Sequence, residues 1–441
     1  MDKLTVDFNK RTGKIKPMHC VNNAPAGSRN RGNFDMYSEI GFPYVRTHDA
    51  ALSALYGPKV IDVHLIFNDF DADENDAESY DFAYTDKYIA DTYRVGSKIF
   101  YRLGASIEHG IKKYGTFPPK DYLKWARICE HIIMHYNNKW GDGFEYGIEY
   151  WELWNEPDCI NADGTNPCWQ GTEEEFCDFF CVAAKYLKEK FPSLKIGGPA
   201  MTCTNAPFWD KFLTSLKDNG VELDFYSYHG YIHSPNAYFI GSPKAMEDML
   251  EVHGLKRKEL ILNEWNYNAG WAGESFTYSV DTIKNHKGAS FALAMMLGMQ
   301  HTSLDMLMYY DGRISAYNGF CDSYTYRRLP TYYSFIMFSR LYKLGNEART
   351  TTDDENIYIC AAEGEKGKGI ALTYFDNNDN APDKTVSLEI SSVRLGARAE
   401  IYLADKEKQM ELVRVEYLST EKSELIFNLK NFDRIYIDII E

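Results

Sequence analysis

No apolar run in this sequence is long enough to cross a bilayer. The longest weakly polar stretch, FALAMMLGMQ at residues 291–300, amounts to about half a span and reads as a buried helix. The N-terminal MDKLTVDFNKRTGKIK has no apolar segment of the kind a secretory signal carries, so a cytoplasmic protein is expected. Long basic tracts are absent too. Lysine and arginine number 48 against 64 aspartates and glutamates, and the formal charge of −16 repels phosphate backbones and anionic lipid. That argues against nucleic-acid and membrane partners and favours a neutral substrate. The nine cysteines are odd in number and lack the dense spacing of a disulfide scaffold, so reduced thiols are expected. Cys159 and Cys168 flank a short loop, where a local disulfide stays open. GEKGKG at 364–369 has neither the Walker spacing nor its closing Ser/Thr and reads as a hairpin turn. His131 and His135 stand about one turn apart in EHIIMHYN, but no glutamate follows the first histidine, which makes an ordinary helix face the better reading than a zinc site.

The chain does have length and aromatic residues. Its 441 residues, 44% hydrophobic and 15% aromatic, suit one large barrel with an accessory domain. The 33 tyrosines and 8 tryptophans exceed what an aliphatic core needs and suit amphipathic ligands such as sugars. Eight runs have strand length: IKPMHCV (15–21), YVRTH (44–48), KIFYRLG (98–104), IEYWELW (148–154), LKIGGPAM (194–201), LDFYSYHGY (223–231), ELILNEW (259–265) and LDMLMYY (304–310). Helix-period patterns at 80–96, 119–141, 173–192, 207–220 and 279–297 fall between them, and VIDVHLIF at 60–67 belongs to an excursion after the second strand. This alternation predicts an α/β fold, a (β/α)8 TIM barrel; a doubly wound open sheet is the alternative. From residue 346 the texture changes to short runs separated by polar turns, which predicts a C-terminal antiparallel β-sandwich domain. The expected division is therefore 1–345 and 346–441.

Two segments share one shape. YWELWNEPD (150–158) and LILNEWNYN (260–268) each run from apolar strand into asparagine and glutamate. In a barrel, side chains just past the C-terminal strand ends converge at the mouth. Glu156 follows strand four and Glu264 ends strand seven, nearly opposite. Paired carboxylates across a cleft suit glycoside hydrolysis, one protonating the departing oxygen and the other attacking the anomeric carbon or activating water. The acid needs a raised pKa, and Trp154, sharing strand parity with Glu156, is the candidate for its burial. Glu152 has the same parity but would lie deep in the barrel, where structural pairing is the better reading. Glu108 and His109 follow strand three, Asp311 and Arg313 follow strand eight, and for these substrate contact, loop packing or an ion pair stay open. Trp265, Trp271 and Tyr310 are candidates to stack on a sugar ring or wall the cleft. The chemistry requires no cofactor and no metal.

YWELWNEPD, together with YVRTHDA, ESYDFAYTDKYIADTYRVGSK, YSYHGY, LNEWNYN and MLMYYDGR, resembles glycoside hydrolase family 39, the family of β-xylosidases and α-L-iduronidases within the clan of retaining (β/α)8 glycosidases. The likeness extends over most of residues 15–345. It implies that Glu156 is the acid/base and Glu264 the nucleophile. By the same resemblance Asn155 holds the hydroxyl next to the attacked carbon, His229 and Tyr231 line the −1 subsite with Tyr231 bonded to the nucleophile, and Arg46 and His48 stand at the end of strand two. The implied activity is a retaining exo-acting hydrolase, β-xylosidase-like, cleaving terminal sugars from short oligosaccharides. Asn263 and Tyr267 depart from the xylosidase pattern, which keeps arabinosides, galactosides and other pentosides open. A catalytically silent carbohydrate-binding barrel is the reading from another class. The resemblance also hints at a homo-oligomer, with the sheet domain as a mediator.

Overall fold

A computed structural model describes residues 2–28, 31–48, 60–235, 240–418 and 422–441. The last two residues of YVRTHDA lie outside these. Eight parallel strands close into a barrel: Cys20–Asn22, Tyr44–Arg46, Lys98–Leu103, Tyr150–Leu153, Lys195–Met201, Phe225–Ile232, Glu259–Tyr267 and Met306–Tyr309. Each falls on one of the eight runs read from the sequence. Their interior and exterior faces are both covered, so the runs are nearly continuously apolar, as parallel strands require. Residues 60–67 lie in the excursion after the second barrel strand, with a short helix at Val63–Ile66.

The helix Glu173–Lys190 illustrates how local chemistry sets element ends. Thr172 and Glu175 form a capping box, three glutamates fill the first turn, and Lys188 and Lys190 sit in the last, matching the helix dipole at both ends. The pattern at 279–297 divides into two helices, Gly273–Ile283 and His286–Gln300. Asn285 is the cause: its backbone is extended and its side chain accepts from Lys287 N, so it caps a new helix. The second of these helices is buried on nearly every face, as its composition requires. Helices at Phe34–Ile40, Ser242–Val252 and Pro330–Leu344 complete the shell where the sequence pattern left gaps. Among the described residues, no helix is long and apolar enough to cross a membrane.

The C-terminal region forms a single nine-stranded sheet that curls so that residues from both halves, among them Leu4, Ile370, Val386, Ile401 and Leu425, share one core. Residues 364–367 close a hairpin within it. Two of its nine strands lack the apolar run that marks the others in the sequence. Asn346–Thr352 is mostly polar, and the strand Asp2–Lys14, placed with the barrel by a division at 1–345, pairs with Asn346–Thr352 on one side and Lys384–Ser391 on the other. Only Leu4, Val6 and Phe8 of that first strand face the core, a period-2 signal too short to stand out among charged neighbours. The helices His286–Gln300 and Pro330–Leu344 pack against the sheet and fix it to the barrel.

Candidate active site

The two glutamates reach the barrel mouth by different backbone devices. The fourth strand stops at Leu153, and Trp154 and Glu156 then adopt left-handed φ of 73° and 47°. Trp154 N donates to Leu103 O at 2.7 Å and Glu156 N to Ala200 O at 2.9 Å, pinning the turn between the two adjacent strands. Gly104 makes room: a Cβ there would lie 3.0 Å from the Trp154 ring. This turn breaks the strand parity. The Trp154 indole therefore packs outward against Trp169 and Phe179 and donates to Cys168 O, and is not the wall of Glu156 that alternation predicts. On the seventh strand, Asn263 and Glu264 together oppose one residue of the sixth, since Leu262 pairs with Tyr228 and Glu264 with His229. A bulge of this kind re-aims a side chain, and here both Asn263 and Glu264 face the interior.

Beneath the carboxylates lies a buried polar layer centred on Arg46. Its Nε donates to Glu152 at 2.7 Å, Nη1 to Glu264 at 2.7 Å and to Asn22 at 3.1 Å, and Nη2 to Asn155 Oδ1 at 2.8 Å. Glu152 also accepts from Ser227 and Asn263, which is the structural pairing its depth implies. Asn22 and Ser227 escaped sequence reading; Asn22 stands one place beyond the predicted first strand, and a polar residue at such an end was the available signal. With Asn155 Oδ1 committed to Arg46, its amide Nδ2 is a buried donor with no partner among the described residues. A buried donor without an acceptor is costly, and a ligand hydroxyl would satisfy it.

Glu264 is surrounded by donors. Tyr231 donates its hydroxyl to Oε2 at 2.8 Å, and His48 Nε2 lies 3.3 Å from Oε1. Burial alone would raise the Glu264 pKa, but His229, His48, Arg46 and the Tyr231 hydrogen bond outweigh it and hold the carboxylate well below the usual range. Glu156 meets one imidazole: His229 Nδ1 lies 2.7 Å from its Oε1 and 3.7 Å from Glu264 Oε2. Burial works against a charged His229, yet the two carboxylates raise its pKa above the ordinary value. An oxygen of Glu156, a ring nitrogen of His229 and an oxygen of Glu264 all lie within 4.8 Å of one another.

A cleft of 880 Å³ opens above this pair, lined by Glu156, Asp158, Cys159, His109, His229, Tyr231 and Trp271 among others. Trp271 is 63% exposed and meets Tyr231 edge-on at 5.1 Å, so it offers a ring face at the rim. Tyr310 stands across from His48, with ring centroids 5.7 Å apart. Trp265 does not reach the cleft. It is fully buried and packs outward against Phe291 and Tyr309, because the bulge turns Glu264 inward and its neighbour out. His109 lines the cleft, whereas Glu108 accepts from Tyr114 N, Gly115 N and Thr116 Oγ1 and so holds a loop. Asp311 and Arg313 form an ion pair at 3.3 Å, with Asp311 buried and bonded to Asn23 and Ser315. His135 stacks on Phe82 and contacts Asp86, and His131 Nδ1 contacts Arg127 O, both within the shell. Asp158, the last residue of YWELWNEPD, also lines the cleft. Burial pushes its pKa up to about 6 against hydrogen bonds from Thr202 N and Oγ1. Its partner is 44 residues away, which no local motif reveals.

The sequence profile of the glycosyl hydrolases family 39 matches residues 2–261. The chain belongs to that family. It is 29% identical over 248 residues to a β-xylosidase of Caldicellulosiruptor saccharolyticus, a match taking in 52% of this chain and 46% of that protein. It is 21% identical over 313 residues to an α-1,4-L-rhamnosidase of Formosa agariphila, covering 68% of this chain and 60% of the other. The chain thus spans less than two thirds of the length of these curated relatives. Among solved structures, a glucosidase from Croceicoccus marinus superposes with a TM-score of 0.79 at 21% identity, covering 100% of this chain and 99% of the other. A monomeric β-xylosidase from Caulobacter crescentus CB15 does so with a TM-score of 0.71 at 15% identity and the same coverage. Likeness at these identities shows the shared fold. For this member of the family, the residues that depart from the xylosidase pattern are not in the cleft lining. Asn263 supports Glu152, and Tyr267 donates to Asn377 of the sheet region at 3.0 Å.

Proposed function

We propose that this family 39 member is a retaining, exo-acting glycosidase with Glu264 as nucleophile and Glu156 as acid/base. The spacing of the two carboxylates carries the reading. Their oxygens within 4.8 Å fit the close pair of about 5–5.5 Å used in double displacement and leave no room for the water that inverting pairs, about 6.5–9.5 Å apart, place between them. Glu264, ionised by its surrounding donors, attacks the anomeric carbon as the glycosidic C–O bond breaks. Glu156 delivers its proton to the departing oxygen. Esterification removes the Glu264 charge; Glu156 then takes a proton from water, whose oxygen attacks the same carbon and releases the Glu264 carboxylate. The buried Asn155 Nδ2 donor and the Tyr231 hydroxyl beside Glu264 support a role for both in holding the sugar at the reacting carbon, with His48, His229, Arg46 and Tyr310 completing the surround.

A β-xylosidase-like specificity is supported by the relatives bearing that name. Relatives named as a glucosidase and a rhamnosidase keep other glycosides in view, and the catalytically silent barrel is the competing class. The test is hydrolysis of an aryl glycoside panel (β-D-xyloside, β-D-glucoside, α-L-rhamnoside, α-L-arabinoside and β-D-galactoside), with the first-formed anomer read by proton NMR. Retention on one member is expected. An inverted product refutes the double displacement, and oligosaccharide binding without turnover of any substrate supports the silent barrel.

A further inference from the structure

Glu156 also belongs to a second cluster, whose other two members the hydrolysis above does not use. A Glu156 carboxylate oxygen and the Sγ atoms of Cys159 and Cys168 all lie within 4.8 Å of one another. The loop that carries the two thiols is tightly held. Cys159 N donates to Glu156 O at 3.1 Å, and Asn166 accepts from Cys168 N and Trp169 N while donating to Pro157 O. Trp154 Nε1 fixes Cys168 O from the other side. Cys159 and Glu156 line the cleft, whereas Cys168 is buried behind them. The cluster thus has two soft ligands and one hard ligand converging from one fixed turn, with one side facing solvent.

We infer that Cys159, Cys168 and Glu156 form a binding site for a thiophilic divalent cation of the zinc class, and that its occupation switches the enzyme off. Zinc takes thiolate sulfur at about 2.3 Å and carboxylate oxygen at about 2.0–2.2 Å in tetrahedral array, which sets ligand atoms roughly 3.5–3.8 Å apart. The observed cluster reaches that geometry by shifts of about an ångström, and the fourth position faces the cleft. Two thiolates select zinc, cadmium or cobalt over magnesium or calcium. Binding forms two metal–sulfur bonds and one metal–oxygen bond, sends the two thiol protons and the proton that Glu156 carries as an acid to solvent, and moves no electrons. A metal-bound Glu156 can neither deliver nor accept a proton, so both hydrolytic steps stop. Only this last consequence rests on the glycosidase reading; the site itself does not.

Cobalt titration of the full chain under reducing conditions reads the site without reference to activity. The parent is expected to show a thiolate-to-cobalt charge-transfer band and tetrahedral visible bands. Cys159→Ser should weaken cobalt binding by at least about tenfold, and Cys168→Ser likewise if it folds. Cys177→Ser with Cys181→Ser, the other close thiol pair, should leave the bands in place. Zinc should depress glycoside hydrolysis by the parent at least about tenfold, with reversal by chelator, and Cys159→Ser should need at least about tenfold more zinc. No thiolate band in the parent, or a band unchanged in Cys159→Ser, overturns the site. A band with hydrolysis insensitive to zinc overturns the switch. A parent that hydrolyses no glycoside yet shows a Cys159-dependent band sinks the glycosidase reading and upholds the site.

Discussion

The ends of the fourth and seventh barrel strands carry the same short pattern, asparagine then glutamate, and make different sites of it. At the seventh, a bulge turns Glu264 into a ring of donors: Arg46, His48 and Tyr231. At the fourth, a left-handed turn brings Glu156 against one histidine, two thiols and a second acid, Asp158. An identical side chain is thus ringed by cationic and hydroxyl donors in one place and set beside a single imidazole in the other. The surroundings that decide this come mostly from other strands.

Neutralising each glutamate in turn should separate the two strand ends most strongly. Glu264→Gln removes the proposed nucleophile and should lower kcat by roughly 10⁴–10⁶, the loss typical of a reacting group. Glu156→Gln should cost about 10²–10⁴ on poor leaving groups and far less on activated aryl glycosides, which need little protonation. Steady-state kinetics across leaving groups separates the two; equal losses at every leaving group would contradict the assigned roles. Azide should restore turnover in small-residue variants of both, with an inverted glycosyl azide from Glu264→Gly and a retained one from Glu156→Ala.

A smaller change sharpens the electrostatic half of the comparison. Tyr231→Phe removes a hydrogen bond to a charged group, worth about 1.5–3 kcal/mol. That bond lowers the Glu264 pKa, so its loss raises it. Because the ionised form attacks, the acidic limb of kcat/KM should move to higher pH, and a limb that stays in place would show that Tyr231 does not tune the nucleophile. The mildest test lies on the strand-four side. Asp158 has a folded pKa raised to about 6. Between its ordinary value and 6 the folded chain keeps a proton that the unfolded chain releases, so stability falls as pH rises through that window. Asp158→Asn should therefore gain stability relative to the parent on going from pH 4 to pH 8, by at most about 3 kcal/mol. Urea melts at the two pH values measure it.

Much of the fold was legible because barrel strands and their helices announce themselves by length and period. The two strands that escaped, Asp2–Lys14 and Asn346–Thr352, are ones whose charged and polar residues mask a short alternation. In the site, Glu156 and Glu264 could be named because each stands at or just past the end of an apolar run, whereas Arg46 and His229 were named through the family resemblance. Trp154 and Trp265 could not be oriented, since alternation fails where a left-handed turn or a bulge intervenes. Asn22, Ser227 and Asp158 act through partners on distant strands, and no local spacing encodes that.

Near neighbours along the chain fix the strand-length runs, the helix ends and the two asparagine–glutamate pairs, one just past the fourth strand and one near the end of the seventh. The tertiary structure sets that Arg46 lies under both Glu264 and Asn155, that the Asn155 Nδ2 donor has no partner among the described residues, and that Cys159 and Cys168 face Glu156. Those contacts arise from barrel closure and loop return, which set which distant polar groups share a dry space. The charge each one bears follows from that company.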